Sequence, residues 1–398
     1  MAPIKRLFPL IARLIAWPVL AVLICLEPII RVRITHLWTA RIGHLALNTL
    51  IYAAARRRLG PEKRTFRIFF GANPCNRQLF NMWKRVLPVI ESRVLSAIYH
   101  YAGQRVQKSR VFAPLDCNAG LHKNIALCNG VLSFTEEEER LGHELLQRMG
   151  LGPDDWFVCF TSRDPSFHEA RVGHDDKDHR NCTVESYLDA ARLVTERGGF
   201  AIRMGAMVDS PLPDIGNPRI IDYASKFRSD FGDIYLLGKC LFLLGSPTGT
   251  ISIPSLFGRP VAMANNLPYM AMPGNPISLL VPKLIREPTG ELMTFAELHR
   301  QGMFNCNPGA NKEPWVWDQS EFYARTGRWP VDNTDEEILD LCRDMFDRLD
   351  GRAPDPEAAR LQRLYKERFW AEVPEVVEYG PDIGPSFALK YRHLIEAS

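Results

Sequence analysis

Hydrophobic and polar positions divide the chain into stretches of different period. Residues 7–30, LFPLIARLIAWPVLAVLICLEPII, are almost wholly apolar, broken only by Arg13, Glu27 and the prolines Pro9, Pro18 and Pro28. The longest uncharged run, Leu14 to Leu26, has 13 residues, short of the roughly 20 that a spanning helix needs. No small-residue cleavage site follows it. The pattern predicts a kinked hydrophobic helix inserted in one membrane leaflet, flanked by Lys5, Arg6, Arg31, Arg33 and Arg41. A tilted full span, or burial against the protein's own core, are the alternatives.

Residues 29–38 alternate and are rich in β-branched types, and 39–58 read as a turn and a helix ending in three arginines, a strand-turn-helix unit. A second strand is expected at 65–71, TFRIFFG, followed by one helical stretch over 76–102. The pattern then blurs to about residue 130. Thr135 and Glu138 have capping-box spacing and open a helix that closes near Gly150 and Gly152, expected to bridge two domains.

From Trp156 onward strands and helices alternate: WFVCFTS, a long loop, TVESYLDAARLVTERG, FAIRMG, RIIDYA, SDFGDIYLLGKC, LFLLG, a turn with a helix, and PVAMAN. This rhythm predicts a parallel, doubly wound sheet. Helices near 334–350 and 355–371 close the chain, and no internal repeat is visible.

A length of 398 residues with 46% hydrophobic and 24% charged residues suits a globular protein of two domains. Charge changes the picture more. Residues 1–110 hold 19 Lys or Arg against 3 acidic residues, and the remainder 30 against 43. A basic first part and an acidic remainder suit a surface that faces anionic lipid, or a basic domain packed on an acidic one. Nucleic acid is disfavoured, because no basic stripe alternates with stacking aromatics. Nine scattered cysteines without a CxxC pair fit reduced thiols in a cytoplasmic compartment.

In parallel α/β sheets ligands bind beyond the carboxyl ends of the strands. The residues there are Ser162, Arg163 and Asp164, then Arg203 to Gly205, then Asp222, then Ser246 to Thr250. The last group, GSPTGT, is either an ordinary turn or a phosphate cradle made by the backbone N–H groups from Thr248 to Ile251 at the start of a helix. It is no P-loop, since no Gly-Lys-Ser/Thr follows, and there is no GxGxxG, so nucleoside triphosphate hydrolysis and nicotinamide chemistry lose their main support.

The stretch RSDFGDIYLLGKCLFLLGSPTGTISIPSLFGRPVAM resembles the donor half of GT-B glycosyltransferases, distantly the heptosyltransferases. A closer resemblance is to a family of bacterial glycosyltransferases from surface-polysaccharide loci. It is carried by RIGHLALN (41–48), LSFTEEEERLG (132–142), VCFTSRD (158–164), DHRN (178–181), IRMG (202–205), IIDYA (220–224), RSDFGDIYL (228–236), PK (282–283) and TFAEL (294–298). Where those sequences more often have Tyr, this one has His179.

The resemblance implies an α/β chain of two Rossmann-like domains in GT-B architecture, preceded by the N-terminal hydrophobic helix. The implied boundaries are an anchoring helix at 1–30, an acceptor-side domain at 31–150, a nucleotide-sugar donor domain at 151–350 and a helical segment at 351–398. The implied partners are a nucleotide-sugar donor, a lipid-linked or membrane-proximal glycan acceptor and an anionic membrane surface, at the cytoplasmic face of the inner membrane. No cofactor, metal or nucleic acid is expected.

Glycosyl transfer needs charge stabilisation on a departing diphosphate, which Arg side chains and backbone N–H groups supply where there is no Asp-x-Asp metal site. Donor binding is therefore expected from Arg163, Arg180, Asn181, Arg203, Ser246, Thr248, Gly249 and Thr250, with Asp222 and Asp230 on ribose or sugar hydroxyls. His44, expected to open the first helix and face an interdomain cleft, and Asp164 are the candidate catalytic bases. For single residues the plain alternatives are salt bridges for the arginines, a helix cap for His44 and Asp230, and an orienting role for Asp164. The loop 164–181, with His168, His174, Asp175, Asp176, Asp178 and His179, reads as a polar lid rather than a metal site, its spacing matching no familiar ligand arrangement. Two other functions stay open: a GT-B-fold sugar-nucleotide epimerase, and a non-catalytic scaffold of a polysaccharide assembly complex.

Overall fold

The computed structural model describes residues 2–115, 122–164, 178–304 and 318–398. The chain forms two compact units, Met1–Cys117 and Asn118–Ser398, each α/β with a parallel sheet. Among the described residues Cys25, Cys75, Cys128, Cys159, Cys182, Cys240 and Cys342 are free thiols.

The first unit holds three parallel strands in the order β1 (Arg31–His36), β2 (Thr65–Gly71) and β3 (Val89–Glu91). Helix Ile42–Leu59 joins the first two and Arg77–Val86 the last two. Trp83 is fully buried between them, its indole N–H donating to the Leu45 carbonyl at 3.0 Å.

The single helix expected over 76–102 is a correction: it is two helices with β3 between them. Pro88 has no N–H to continue the ladder and holds Leu87 in extended backbone (φ −131, ψ 148). Ser92 then caps a new helix, Arg93–Ala102, through the Leu95 N–H.

The N-terminal helix runs continuously over Ala2–Leu26, with Pro9 and Pro18 inside it. Its stretch Pro9–Leu26 is long and apolar enough to cross a membrane. Ala12, Ala16 and Leu20, four residues apart and so on one face, pack against Ala102, Val106 and Val111.

The second unit is built on seven parallel strands: β4 (Phe157–Thr161), β5 (Phe200–Arg203), β6 (Ile220–Asp222), β7 (Leu243–Gly245), β8 (Val261–Asn266), β9 (Leu279–Pro282) and β12 (Asp382–Ile383), in the order β12-β9-β8-β7-β4-β5-β6. Every residue of β4, β7 and β8 is buried, as a sheet covered on both faces requires. β4 to β8 are the five strands expected from the pattern. β9, β12 and the antiparallel pair β10 (Leu284–Arg286) and β11 (Trp329–Val331) are additions.

Helix Glu136–Arg148, expected to bridge two domains, lies within the second unit, and its capping box is complete: Thr135 N–H to Glu138 Oε2 at 2.9 Å, Glu138 N–H to Thr135 Oγ1 at 3.2 Å. Gly142 lets it close on helix Asp230–Lys239, since a Cβ there would stand 1.9 Å from the Tyr235 ring. Tyr235 and Lys239 both reach Glu139, at 3.2 and 2.6 Å. The helices expected near 334–350 and 355–371 are Asp335–Leu349 and Pro356–Phe369, but they do not close the chain, since the short helices Pro374–Tyr379, Pro385–Lys390 and Arg392–Glu396 follow.

Candidate functional site

The order of the seven-stranded sheet decides where a ligand belongs. The chain enters at β4, moves outward through β5 and β6, then returns to the other flank of β4 as β7. The connections after β4 and β7 therefore leave in opposite directions, and the crevice between such strands is the binding position of doubly wound sheets. Ser162-Arg163-Asp164 follows β4, and GSPTGT spans the end of β7.

Thr161 and Gly245 are partners in the register of β4 and β7. A side chain at Gly245 would meet Thr161 Cγ2 at 2.7 Å and the Thr161 carbonyl at 2.8 Å, so only glycine allows this approach. The Ser246 N–H then donates to the Thr161 carbonyl at 3.2 Å, carrying the pairing one residue past the strand.

Beyond it the turn is polar. Ser246 is fully buried, and the Thr248 and Thr250 hydroxyls share a hydrogen bond of 2.6 Å. The expected helix is short: a 3-10 turn, Gly249–Ser252, followed by one α turn, Ile253–Leu256. Proline at 254 pre-sets φ there. The Ile251 N–H, expected to face a ligand, instead donates to the Thr248 carbonyl at 3.4 Å, and this is a correction.

Arg180 comes to this turn from the far end of the long loop. Its Nη2 donates to the Pro247 carbonyl at 3.4 Å, and its Nη1 lies 3.7 Å from Asp318 Oδ1. His179 shares that carboxylate at 3.7 Å, meets the Ser320 hydroxyl at 2.9 Å through Nδ1, and lies against the Tyr323 ring at 4.9 Å. Burial and the Asp318 carboxylate push the Tyr323 phenol well above its ordinary range.

Lys283 fixes the same segment from beneath. Its ammonium, 1% exposed, donates to the His179 carbonyl at 3.1 Å, the Asn181 carbonyl at 2.8 Å and Asp332 at 2.6 Å. The Cys182 N–H donates to the Arg163 carbonyl at 3.3 Å, which ties this segment to the end of β4. Arg163 itself is buried.

Other expected residues serve a neighbouring loop. Arg203 and Asp222, partners in the register of β5 and β6, face each other at 3.6 Å in a buried pair. Arg203 also donates to the Ser210 carbonyl at 2.8 Å, Asp222 accepts the Leu212 N–H at 2.9 Å, and Asp164 accepts the Asp209 N–H at 2.9 Å. Three side chains drawn from three strand ends thus shape one loop over 209–212.

Asp230 is the first residue of its helix, and the cap is Ser229. Arg228 binds Asp230 at 3.1 Å and Asp233 at 2.9 Å, and the Tyr223 hydroxyl donates to Asp233 at 3.0 Å. Desolvation pushes Asp233 up to about 6, against the pull of Arg228. In the first unit His44 lies in the first turn of helix Ile42–Leu59, its ring 5.0 Å from that of exposed Trp38. Burial lowers its pKa, Arg41 adds to this, and a hydrogen bond to Asn48 opposes it, so the imidazole is neutral at pH 7.

Asp318, Lys283, Asp233 and Trp38 were not picked out as site residues from the sequence, although Lys283 and Asp233 fell within the motifs PK and RSDFGDIYL. His168, His174, Asp175, Asp176 and the side chain of Asp178 lie outside the described residues. Among the described residues no three His, Cys, Asp or Glu side chains gather as a metal site would require.

No family model matches the chain. No curated protein matches it either. Solved structures similar to it include ADP-heptose LPS heptosyltransferase II of E. coli, 11% identical, covering 63% of this chain and 90% of that one with a TM-score of 0.44. Another is a glycosyl transferase family 9 protein from Veillonella parvula, also 11% identical, covering 64% and 86% with a TM-score of 0.42.

Proposed function

We propose that this protein is a glycosyltransferase that takes a sugar from a nucleotide-sugar donor and passes it to a lipid-linked or membrane-proximal glycan acceptor in surface-polysaccharide assembly. The observation that carries the reading is the Arg180 side chain bonded to the Pro247 carbonyl of the Ser/Thr turn, at the sheet's switch point. A guanidinium over a hydroxyl-lined turn, in the crevice where doubly wound sheets bind ligands, is suited to a diphosphate. The ordered sequence motifs supply the reaction class.

In the transfer the bond from the anomeric carbon to the donor phosphate breaks, and the acceptor oxygen forms the new bond. Arg180 and Arg163 stabilise the charge that grows on the departing diphosphate. The proton of the acceptor hydroxyl goes to a base, for which the candidates are His44, whose pKa burial lowers, and Asp164, whose Oδ2 accepts the Asp209 N–H. Association with the cytoplasmic face of the inner membrane through the N-terminal helix brings the enzyme to its acceptor.

Incubation with a panel of nucleotide-sugars tests the reading. Release of free nucleotide only when a glycan acceptor is added supports transfer. An epimerised sugar still attached to nucleotide overturns it in favour of an epimerase. Absence of any nucleoside diphosphate binding at millimolar ligand, measured by calorimetry, leaves a scaffold as the better account.

A further inference from the structure

The helix Ala2–Leu26 has two faces of different kinds. Ala12, Ala16 and Leu20, joined by half-buried Leu23 and Ile24, lie against the protein. Leu14 and Val22 stand outward, 66% and 59% exposed, with Leu10, Ile11, Ile15 and Val19 beside them. Between Pro9 and Leu26 the one charged residue is Arg13. It belongs to the protein side, since its Nε donates to the Ala102 carbonyl at 3.3 Å. From Pro9 to Leu26 the outward face is therefore apolar, and among the described residues no other element of the first unit covers it.

We infer that this helix is an in-plane anchor: it lies flat in one leaflet of an anionic bilayer, with Leu14 and Val22 toward hydrocarbon and Ala12, Ala16 and Leu20 toward the protein. The inference rests on the membrane association proposed above and specifies its geometry. The protein-facing stripe from Ala12 to Ile24 covers about 18 Å of helix at 1.5 Å per residue. Over that length the helix is held against Arg93–Ala102 and the turn Gln104–Gln107. A helix standing across the bilayer would carry those partners, with exposed Arg93, Arg105 and Lys108, into hydrocarbon, where charged side chains are strongly disfavoured. Lying flat, it leaves them at headgroup depth.

The occupant follows from charge. Exposed Arg31 borders the C-terminal end of the helix, where Glu27 is held by Arg33 at 2.6 Å and Arg110 at 3.0 Å, and residues 93–110 contain four basic residues and no acidic one. Basic side chains beside an apolar face match anionic lipid. A second copy of the chain would bring the same positive rim against itself.

The test uses the full-length protein and vesicles of phosphatidylcholine with or without phosphatidylglycerol. Leu14→Cys and Val22→Cys, each in a Cys25→Ser background, carry an environment-sensitive fluorophore read against the labelled parent, with quenchers placed at known depths in the lipid. Both positions are exposed, so the substitutions spare the packed face. The expected result is binding that favours phosphatidylglycerol and weakens with salt, with both labels at one depth. Binding with the labels about 12 Å apart in depth, the rise of eight residues, overturns the in-plane geometry alone. Absence of binding to either vesicle removes the membrane association as well. A lipid-independent dimer with the two labelled positions buried in its interface assigns the face to a second copy and also overturns the inference.

Discussion

Arg180 and Pro247 are 67 residues apart in the chain and meet through one hydrogen bond from guanidinium to carbonyl. Asp318 on its other side holds the guanidinium beside the turn at the end of β7. Arg180→Ala is expected to weaken nucleoside diphosphate binding by roughly 10- to 100-fold, the loss of a charge-assisted hydrogen bond of about 1.5–3 kcal/mol. Arg180→Lys recovers part of it, because the charge returns without the planar fork. Calorimetric titration measures both, and affinity equal to the parent in the Ala variant removes Arg180 from the site.

Lys283 acts on this arginine through the backbone. Lys283→Met keeps the apolar stem and leaves two carbonyls without their donor, an expected cost of about 1–3 kcal/mol in urea unfolding. Because the released carbonyls belong to His179 and Asn181, which flank Arg180, KM for the donor should rise more than kcat falls. Loss of stability with unchanged KM would make Lys283 a support of the fold alone.

His44→Ala is expected to abolish turnover and spare donor binding. In the parent, burial and Arg41 lower the imidazole pKa from 6.5, so it remains an unprotonated base into mildly acidic solution. The acid limb of the kcat profile should therefore fall below pH 6.5, and a limb above that value would exclude His44 as the group that titrates.

Asp233 predicts a pH dependence of stability. Its carboxyl rises from 3.8 to about 6 on folding, so the native state holds the proton more tightly than the unfolded chain. This group's contribution is most favourable below pH 3.8, declines as pH rises to about 6 and stays low above that. The decline amounts to about 3 kcal/mol at 1.36 kcal/mol per pH unit. Asp233→Asn should flatten denaturation midpoints over that window, and an undiminished slope would assign the effect to another group.

The five strands β4 to β8 were legible because each is a short apolar run between turn signals. β3 was hidden, since its three residues sit in a run whose apolar positions also fit a helix, and only Pro88 marked the break. β12, two residues long, carries no periodicity at all.

The candidate site was legible as residue types and not as an arrangement. Arg163, Arg180 and the turn at 246–250 follow from strand ends and motifs, but the meeting of Arg180 with the turn depends on strand order, which a linear reading does not contain. Arg203 and Asp222 stood out for the same reason and prove to be partners of each other. Lys283 reaches residues more than 100 positions away, so no local pattern announces it.

The stripe of Ala12, Ala16 and Leu20 also sets an order of events during synthesis. The helix leaves the ribosome before the rest of the first unit, and the Ala102 carbonyl that receives Arg13 lies 89 residues later. At 5–20 residues per second that interval is roughly 4–18 s. For that time both faces of the helix are unprotected, so the nascent chain meets lipid or a chaperone before it meets its own helix Arg93–Ala102. On the membrane association proposed above, capture by lipid precedes completion of the first unit, which then finishes folding at the bilayer surface.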